Sequence, residues 1–374
     1  VNNSSPQSTP SDDSQEPAPM YASPLLGLPG AAPLQDPERE GAHPVPTALA
    51  GVAWHYGNPL SEQRFFESGC GMVDLSHRRL IKVEGADAAT FLNNLLSQKL
   101  DDAPDGFFGQ ALDLDGQGHV LHQMQVSRIG DAFYLDTTAD RIDSLREYLH
   151  KMVFWSQVVI SDPELAIIAL IGPERDAVIN PAGVVFSRQA SVGLARRELI
   201  VSREMLSYVA SALVAQGVAP VGLMAYTAAR VRALEPEASL DLDDKSIPHE
   251  AAFFIPAAVH LHKGCYRGQE TVARVDNLGR SPRVLVLVHI DGSAPDQPRS
   301  GDAIESGGRV VGRLGTVVDD YEYGPIGLAL IKRSALGSSQ LVAGQAALAI
   351  DKDSLPSDGG ERPGRAAINK LRGI

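Results

Sequence analysis

The apolar and polar positions of this chain follow two rhythms that exchange in a regular order. In "LIKVE", Leu80, Lys82 and Glu84 alternate with Ile81 and Val83, the two-residue period of a half-buried strand. The next stretch, "GADAATFLNNLLSQKL", sets Phe91, Leu92, Leu95 and Leu96 at helical spacing with Asp87 near the start, which predicts an amphipathic helix. A shorter helix is expected before them at Leu60 to Glu67. Residues 108–138 read as an antiparallel meander with turns at "GQG" and "GDA", closed by a helix in "ADRIDSLREYLHKMVFW". A second α+β unit follows: the buried strand "LAIIALIG", a helix opening at "PERDAVI", the strands "GVVFSR" and "RRELIVS", and the helix "EMLSYVASALVAQG". After Ser281 the pattern becomes short β-like runs separated by glycine, which suggests a small closed barrel or sandwich.

The expected organisation is a Ser/Pro-rich tail over 1–48, a first α+β domain over 49–162 completed by 225–280, and a second, ferredoxin-like α+β domain over 163–224. A β-barrel over 281–352 and an irregular extension over 353–374 complete it. The tail lacks either periodicity, and its mildly apolar part, Met20 to Leu34, is broken by Pro and Gly and has no basic segment before it. A docking peptide and a misplaced start codon are the two plain readings of it.

Composition narrows the class. The 374 residues are 44% hydrophobic and 21% charged, and the net charge of -13 argues against tracking along a nucleic-acid backbone, so no direct nucleic-acid partner is expected. A local basic pocket for a small anion remains compatible. Two cysteines, Cys70 and Cys265, make no disulfide framework, so the reducing cytoplasm is the expected compartment; no apolar run reaches membrane-spanning length, so no membrane partner is expected.

Candidate chemistry concentrates in "HKGCYRGQETVAR", residues 262–274. Cys265 reads either as a thiolate stabilised by Lys263, Arg267 and Arg274 or as a small buried hydrophobe in a Gly-flanked turn. His260 and His262 would share one side of a strand, but a metal there needs further ligands that the sequence does not specify. Gly264 and Gly268 permit positive φ, or a close approach of backbone to ligand, or simply a tight turn. Upstream, Glu235, Glu237, Asp241, Asp243 and Asp244 read as a solvated acidic loop, and "LDLDGQGH" as a hairpin turn rather than a calcium loop.

"KGCYRGQE", Lys263 to Glu270, resembles the signature K-G-C-Y-x-G-Q-E of the YgfZ-type folate-binding proteins, relatives of the glycine-cleavage T-protein (aminomethyltransferase). "MVDLSHRRLIKVEGADAATFLNNLLSQKL", "RVRALEP", "IPHEAAF" and "GGRVVGRLGTV" extend the resemblance over about residues 49–350. It implies an α+β, multidomain, T-protein-like ring of two α+β domains with a C-terminal β-barrel, binding tetrahydrofolate or a one-carbon derivative. Its family is linked to assembly or repair of iron-sulfur enzymes and, through them, to tRNA thiolation. On that resemblance Cys265 is the functional thiol. The folate-binding residues would come from Lys263, Gly264, Tyr266, Arg267, Gly268, Gln269, Glu270, Arg230, Glu250, Arg274 and Arg283, with the arginines as candidates for the anionic tail. Two departures bear on the reaction: His122 and Gln123 stand where the T-protein carries paired aspartates, and Arg232 where it carries a pterin-binding glutamate. Gln cannot move a proton near neutral pH, so aminomethyl or other one-carbon transfer is the alternative function and not the favoured one.

Overall fold

The computed structural model describes residues 21–34 and 46–356. β1 (Ala32–Pro33) pairs antiparallel with β2 (Ala53–His55), so part of the expected tail is built into the fold. Leu25 is buried there, Ser23 donates to Asp74 Oδ2 at 2.5 Å, and Arg203 lies over the Tyr21 ring at 4.6 Å. Residues 21–34 are thus a strap on their own chain, held by Tyr21, Ser23, Leu25 and Leu28. Residues 1–20 and 35–45 of the expected tail lie outside the described residues, as do 357–374 of the C-terminal extension.

The helix expected at Leu60 to Glu67 is two single turns, α1 (Pro59–Glu62), capped by Asn58, and α2 (Phe65–Ser68). β3 (Gly71–Asp74), expected in the first unit, instead hydrogen-bonds into the second sheet. The first sheet comprises β4 (Arg79–Glu84) and, after α3 (Ala88–Leu95), the meander β5 (Phe108–Leu114), β6 (Val120–Ile129) and β7 (Ala132–Thr137). α4 (Ile142–Lys151) and β8 (Val159–Ser161) complete it in the order β5-β6-β7-β4-β8, antiparallel throughout. Leu92 of α3 and Leu145 and Leu149 of α4 bury against Ile81, Val83, Met124 and Val126 on one face of this sheet. The opposite face carries Gln123, Gln125 and Ser127, which are equally buried. A polar face without water needs polar partners.

Those partners come from the second sheet, β10-β11-β9-β3-β12, built from β9 (Leu165–Ile171), β10 (Val184–Ala190), β11 (Arg196–Ser202) and, after α5 (Leu206–Ala215), β12 (Ala219–Val221). β3 and β12 pair in parallel and the other neighbours antiparallel. β9 is buried on both faces, which explains its unbroken apolar run. The helix expected at "PERDAVI" is only a turn: Pro173 and Pro181 bracket it, and Arg197 takes the carbonyls of Val178 at 2.8 Å and Arg175 at 3.3 Å.

α6 (Leu223–Arg232), α7 (Ala238–Asp241), α8 (Phe254–Ala258) and α9 (Gln269–Leu278) lead into β13 (Arg283–Ile290). With β14 (Ala303–Ser306), β15 (Arg309–Asp320), β16 (Gly324–Lys332), β17 (Leu341–Ala343) and β18 (Ala346–Ile350), β13 closes a six-stranded barrel. Val284, Val286 and Val288 fill the barrel, while Leu285 and Leu287 on the other face of β13 join Val231 and Phe254 in the central core. The architecture is the expected mixed α+β fold ending in a closed barrel.

Between the two sheets runs a chain of buried ions. Arg188 of β10 reaches Glu198 Oε2 at 2.6 Å and Asp136 Oδ2 at 2.7 Å, and donates to Gln125 and Ser127 of the first sheet. Arg78 joins Asp136 at 2.9 Å to Glu237 at 3.0 Å, and Arg196 joins Glu198 at 2.6 Å to Glu235 at 3.0 Å. Burial alone would raise the Glu198 carboxyl, but Arg188 and Arg196 outweigh it and hold it below the usual range. Removing one member leaves its partners charged in a dry interior, so Arg188→Ala is expected to cost about 3–5 kcal/mol in urea unfolding. A loss under about 1 kcal/mol would show that the network is not what joins the sheets.

Candidate functional site

A cleft of about 160 Å³ opens at one end of that ion chain, lined in part by Gln123, Thr137, Arg141, Glu237, Ser239 and Asp243. Local sequence explains its wall. Asp241 caps the α7 turn by taking the Glu237 N–H at 2.7 Å, and Gln123 Oε1 takes the Ala238 N–H at 2.8 Å. Gln123 also donates to Gln110 Oε1 and the Pro236 carbonyl, both at 3.1 Å, so its amide is engaged at both ends. Glu237 is the end of the ion chain, in which three guanidinium groups, Arg78, Arg188 and Arg196, face four carboxylates, Asp136, Glu198, Glu235 and Glu237. Burial, only partly countered by Arg78, raises its carboxyl above the ordinary glutamate value. The buried Ser239 Oγ has no hydrogen-bond partner among the described residues. An acceptor that takes a proton readily and a vacant hydroxyl suit a ligand edge that carries N–H groups.

The acidic run 235–244 is therefore not a solvated loop. Asp241 is fully buried and holds Arg230 and the Thr316 N–H, and Asp243 pairs with Arg283; Asp244 is exposed. The carboxylates are matched by arginines distant in sequence, which no local pattern reveals.

The signature loop lies elsewhere, and none of its residues lines this cleft. His260 and His262 sit in irregular backbone rather than on a strand, with the His260 N–H bonded to the Ser97 carbonyl. Among the described residues, no three His, Cys, Asp or Glu side chains group as metal ligands. Lys263 Nζ donates to the carbonyls of Asn93, Leu96 and Gln98, capping the C-terminus of α3, and lies 4.9 Å from the centre of the Tyr266 ring. Burial pulls its ammonium down to about 8, while the three carbonyls and the helix end favour the charge. Arg267 binds the Leu114 carbonyl and Asp113 Oδ1, the latter at 2.7 Å, and Tyr266 is buried in the central core. Gln269 Oε1 accepts the Tyr266 N–H at 3.2 Å. Cys265 is exposed between these anchors, so the buried-hydrophobe reading fails for it and holds for Cys70. Lys263, Tyr266, Gln269 and Glu270 line a separate groove of about 180 Å³.

The arginines divide by role. Arg230 is buried and ties α6 to the barrel through Asp241 at 2.8 Å and Thr316 Oγ1 at 2.5 Å. Arg283 bridges Glu250 and Asp243, and Glu250 in turn caps the Ile247 N–H. Arg274 is exposed on α9. Arg232 pairs with Asp320 and Glu322 beside Tyr321 and Tyr323, on a different cleft of about 330 Å³ that shares no lining residue with the first. Gln123 and Arg232 therefore do not face one another across one pocket. Sequence reasoning placed the binding residues in the signature and at Arg230, Glu250, Arg274 and Arg283; it assigned no folate-binding role to Glu237, Ser239 or Arg141.

This fold and site define a class, and comparison with known proteins gives it a place. The family model described as the GCVT N-terminal domain matches residues 38–190, and that of the CAF17 C-terminal beta-barrel domain matches residues 283–355. The chain is 25% identical over 313 residues to the chloroplastic At1g60990 protein of Arabidopsis thaliana, covering 76% of this chain and 70% of that one. It is also 25% identical over 315 residues to an aminomethyltransferase of Symbiobacterium thermophilum, covering 74% and 82%. The crystal structure of glycine cleavage system aminomethyltransferase T from Bartonella henselae shares the fold, with a TM-score of 0.67 at 20% identity over 78% of this chain and 87% of that one. Together the two domains and these relatives support the T-protein superfamily as the class of this chain. The barrel match points within it toward proteins of the CAF17 type.

Two measurements test the geometry. Gly268 has φ +81°, and a Cβ there would come within 2.7 Å of the Asp115 carbonyl oxygen and 2.9 Å of Gly118 Cα; at Gly264 it would meet nothing within 4 Å. Gly268→Ala is expected to lose more than about 1 kcal/mol in chemical denaturation and Gly264→Ala less than about 0.5 kcal/mol, and equal losses would refute the difference. Burial alone would raise Asp243, but hydrogen bonds from Arg283 and Ser246 hold it at about 2. That lies below the roughly 3.9 of an unfolded aspartate, so its contribution is complete above about pH 4 and disappears as pH falls through 2. The difference in Tm between the protein and Arg283→Gln should narrow over that window; a constant difference would exclude the pairing.

Proposed function

We propose that the protein binds a reduced folate with the pterin head in the central cleft and presents Cys265 to iron-sulfur enzymes or their assembly machinery, without transferring an aminomethyl group. The observation that carries the reading is the pairing of a cleft ending in Glu237 and the unpartnered Ser239 Oγ with an exposed Cys265 whose neighbours are anchored. The cleft donor set fits a flat aminopterin head: the Glu237 carboxylate accepts from ring N–H and amino groups, and Ser239 adds a hydroxyl. About 160 Å³ is less than the roughly 300 Å³ from which pockets for whole drug-sized ligands begin, so the rest of the ligand extends outward. Arg141, with its side chain 47% exposed on the rim and held only by a loose surface pair with Asp140 at 3.5 Å, is the cation for the glutamate tail. Arg230 and Arg283 are already engaged with carboxylates.

A tetrahydrofolate, when bound, supplies a carrier for one-carbon units at its ring nitrogens. What the chain does around it follows from its own groups. Gln123 orients through fixed hydrogen bonds but moves no proton, and His122 is bonded to Asp113 and Ser144. The likeness to an aminomethyltransferase keeps one-carbon transfer as the competing reading. An assay for methylenetetrahydrofolate formation separates the two.

Calorimetry with tetrahydrofolate is expected to show binding by the wild type and a loss of roughly 10-fold in affinity for Glu237→Gln, the size of one charged hydrogen bond. Cys265→Ala should bind and melt as the wild type does, yet fail to restore iron-sulfur enzyme activity in cells lacking the protein. Absence of binding heat would remove the folate reading; full restoration by Cys265→Ala would remove the thiol.

A further inference from the structure

Outside the central cleft, three side chains from three elements form a hydrogen-bonded row. Ser144 Oγ on α4 lies 2.9 Å from His122 Nε2 on β6, and His122 Nδ1 lies 2.8 Å from Asp113 Oδ2 on β5. Asp113 is fully buried, His122 is 7% exposed, and Ser144 is exposed. We propose that Ser144 is an activated nucleophile and that this row cleaves small acyl esters or thioesters.

The chemistry follows from the order of the groups. A carboxylate at Nδ1 keeps the imidazole proton on that nitrogen, which leaves Nε2 as an acceptor for the serine O–H at 2.9 Å, in competition with the Arg141 carbonyl at 3.1 Å. Asp113 is itself held: Arg267 donates to Oδ1 at 2.7 Å, and Arg267 in turn lies over the Tyr148 ring at 4.7 Å. The position that varies in the signature motif thus braces the row. Ser144 stands in the first turn of α4, where neither its own N–H nor that of Asp143 has a hydrogen-bond partner among the described residues. Such a pair suits an oxyanion, and the Asp143 charge beside it is countered by Arg146. Leu121 and Arg141, neighbours of the row in sequence, line the adjoining cleft and offer an apolar contact and a cation.

In the first step the Oγ–acyl carbon bond forms and the bond from that carbon to the leaving oxygen or sulfur breaks. The serine proton passes to His122 Nε2 and then to the leaving group. Water then attacks the acyl-serine through the same nitrogen, releases the acid and returns the proton to Oγ. No oxidant, metal or folate enters, so the proposal stands apart from the folate reading and fails separately.

The test uses the full chain with a fluorophosphonate probe and p-nitrophenyl acetate. Phosphonylation at Ser144, mapped by peptide mass, is expected, with turnover lowered at least ~100-fold in Ser144→Ala and in folded His122→Gln. Turnover in Ser144→Ala within about twofold of wild type, or no adduct at Ser144, overturns the proposal. So does an adduct that forms equally fast in folded His122→Gln, which marks an ordinary surface serine. Should His122→Gln not fold, the exposed Ser144→Ala decides alone.

Discussion

The contact on which the arrangement of the two sheets depends is the Arg188 guanidinium held between Glu198 of its own sheet and Asp136 of the other. A buried ion pair adds little stability over a well-packed apolar contact, because the desolvation of both charges cancels most of their attraction. What it adds here is register. Arg188 also needs Gln125 and Ser127, so the sheets meet with β6 and β10 at one offset and no other. The apolar cores on the outer faces of the two sheets could tolerate sliding; the ion chain cannot.

The same chain shapes the cleft. Three guanidinium groups face four carboxylates, and at the end where the cleft opens burial outweighs Arg78 and Arg230 and raises the Glu237 carboxyl. The cost of a partly uncompensated carboxylate is set against the fully paired interior behind it. A site that accepts N–H groups is the direct consequence.

The signature loop shows how binding residues and structural residues trade places. Lys263 caps α3, Tyr266 fills the central core and Arg267 braces Asp113, so most of its charged and aromatic side chains hold the loop down. Of those four, Cys265 is exposed and is the one with no such structural contact among the described residues. Arg230 and Arg283 likewise proved to be cross-links, between α6 and the barrel and between Glu250 and Asp243. An arginine's sequence neighbours do not tell whether its partner is a ligand or a distant carboxylate.

Much of the architecture was legible from periodicity, because the two-residue and helical rhythms of β4, α3, the β5–β7 meander and the barrel strands are imposed by which face each element buries. The resemblance in "KGCYRGQE" and its flanks likewise needed only sequence. Where patterns misled, a contact from far along the chain had overridden them: Arg197 holding the turn at 173–179, β3 joining the second sheet, Leu25 and Ser23 docking the strap. The amino-acid order by itself indicated most of the elements, the β-rich C-terminal unit and Cys265 as a candidate, since these depend on local spacing. Only the tertiary structure decided that Glu237 ends an ion chain and that Ser144, His122 and Asp113 meet, since each depends on side chains brought together by strand pairing or sheet packing across distant parts of the sequence.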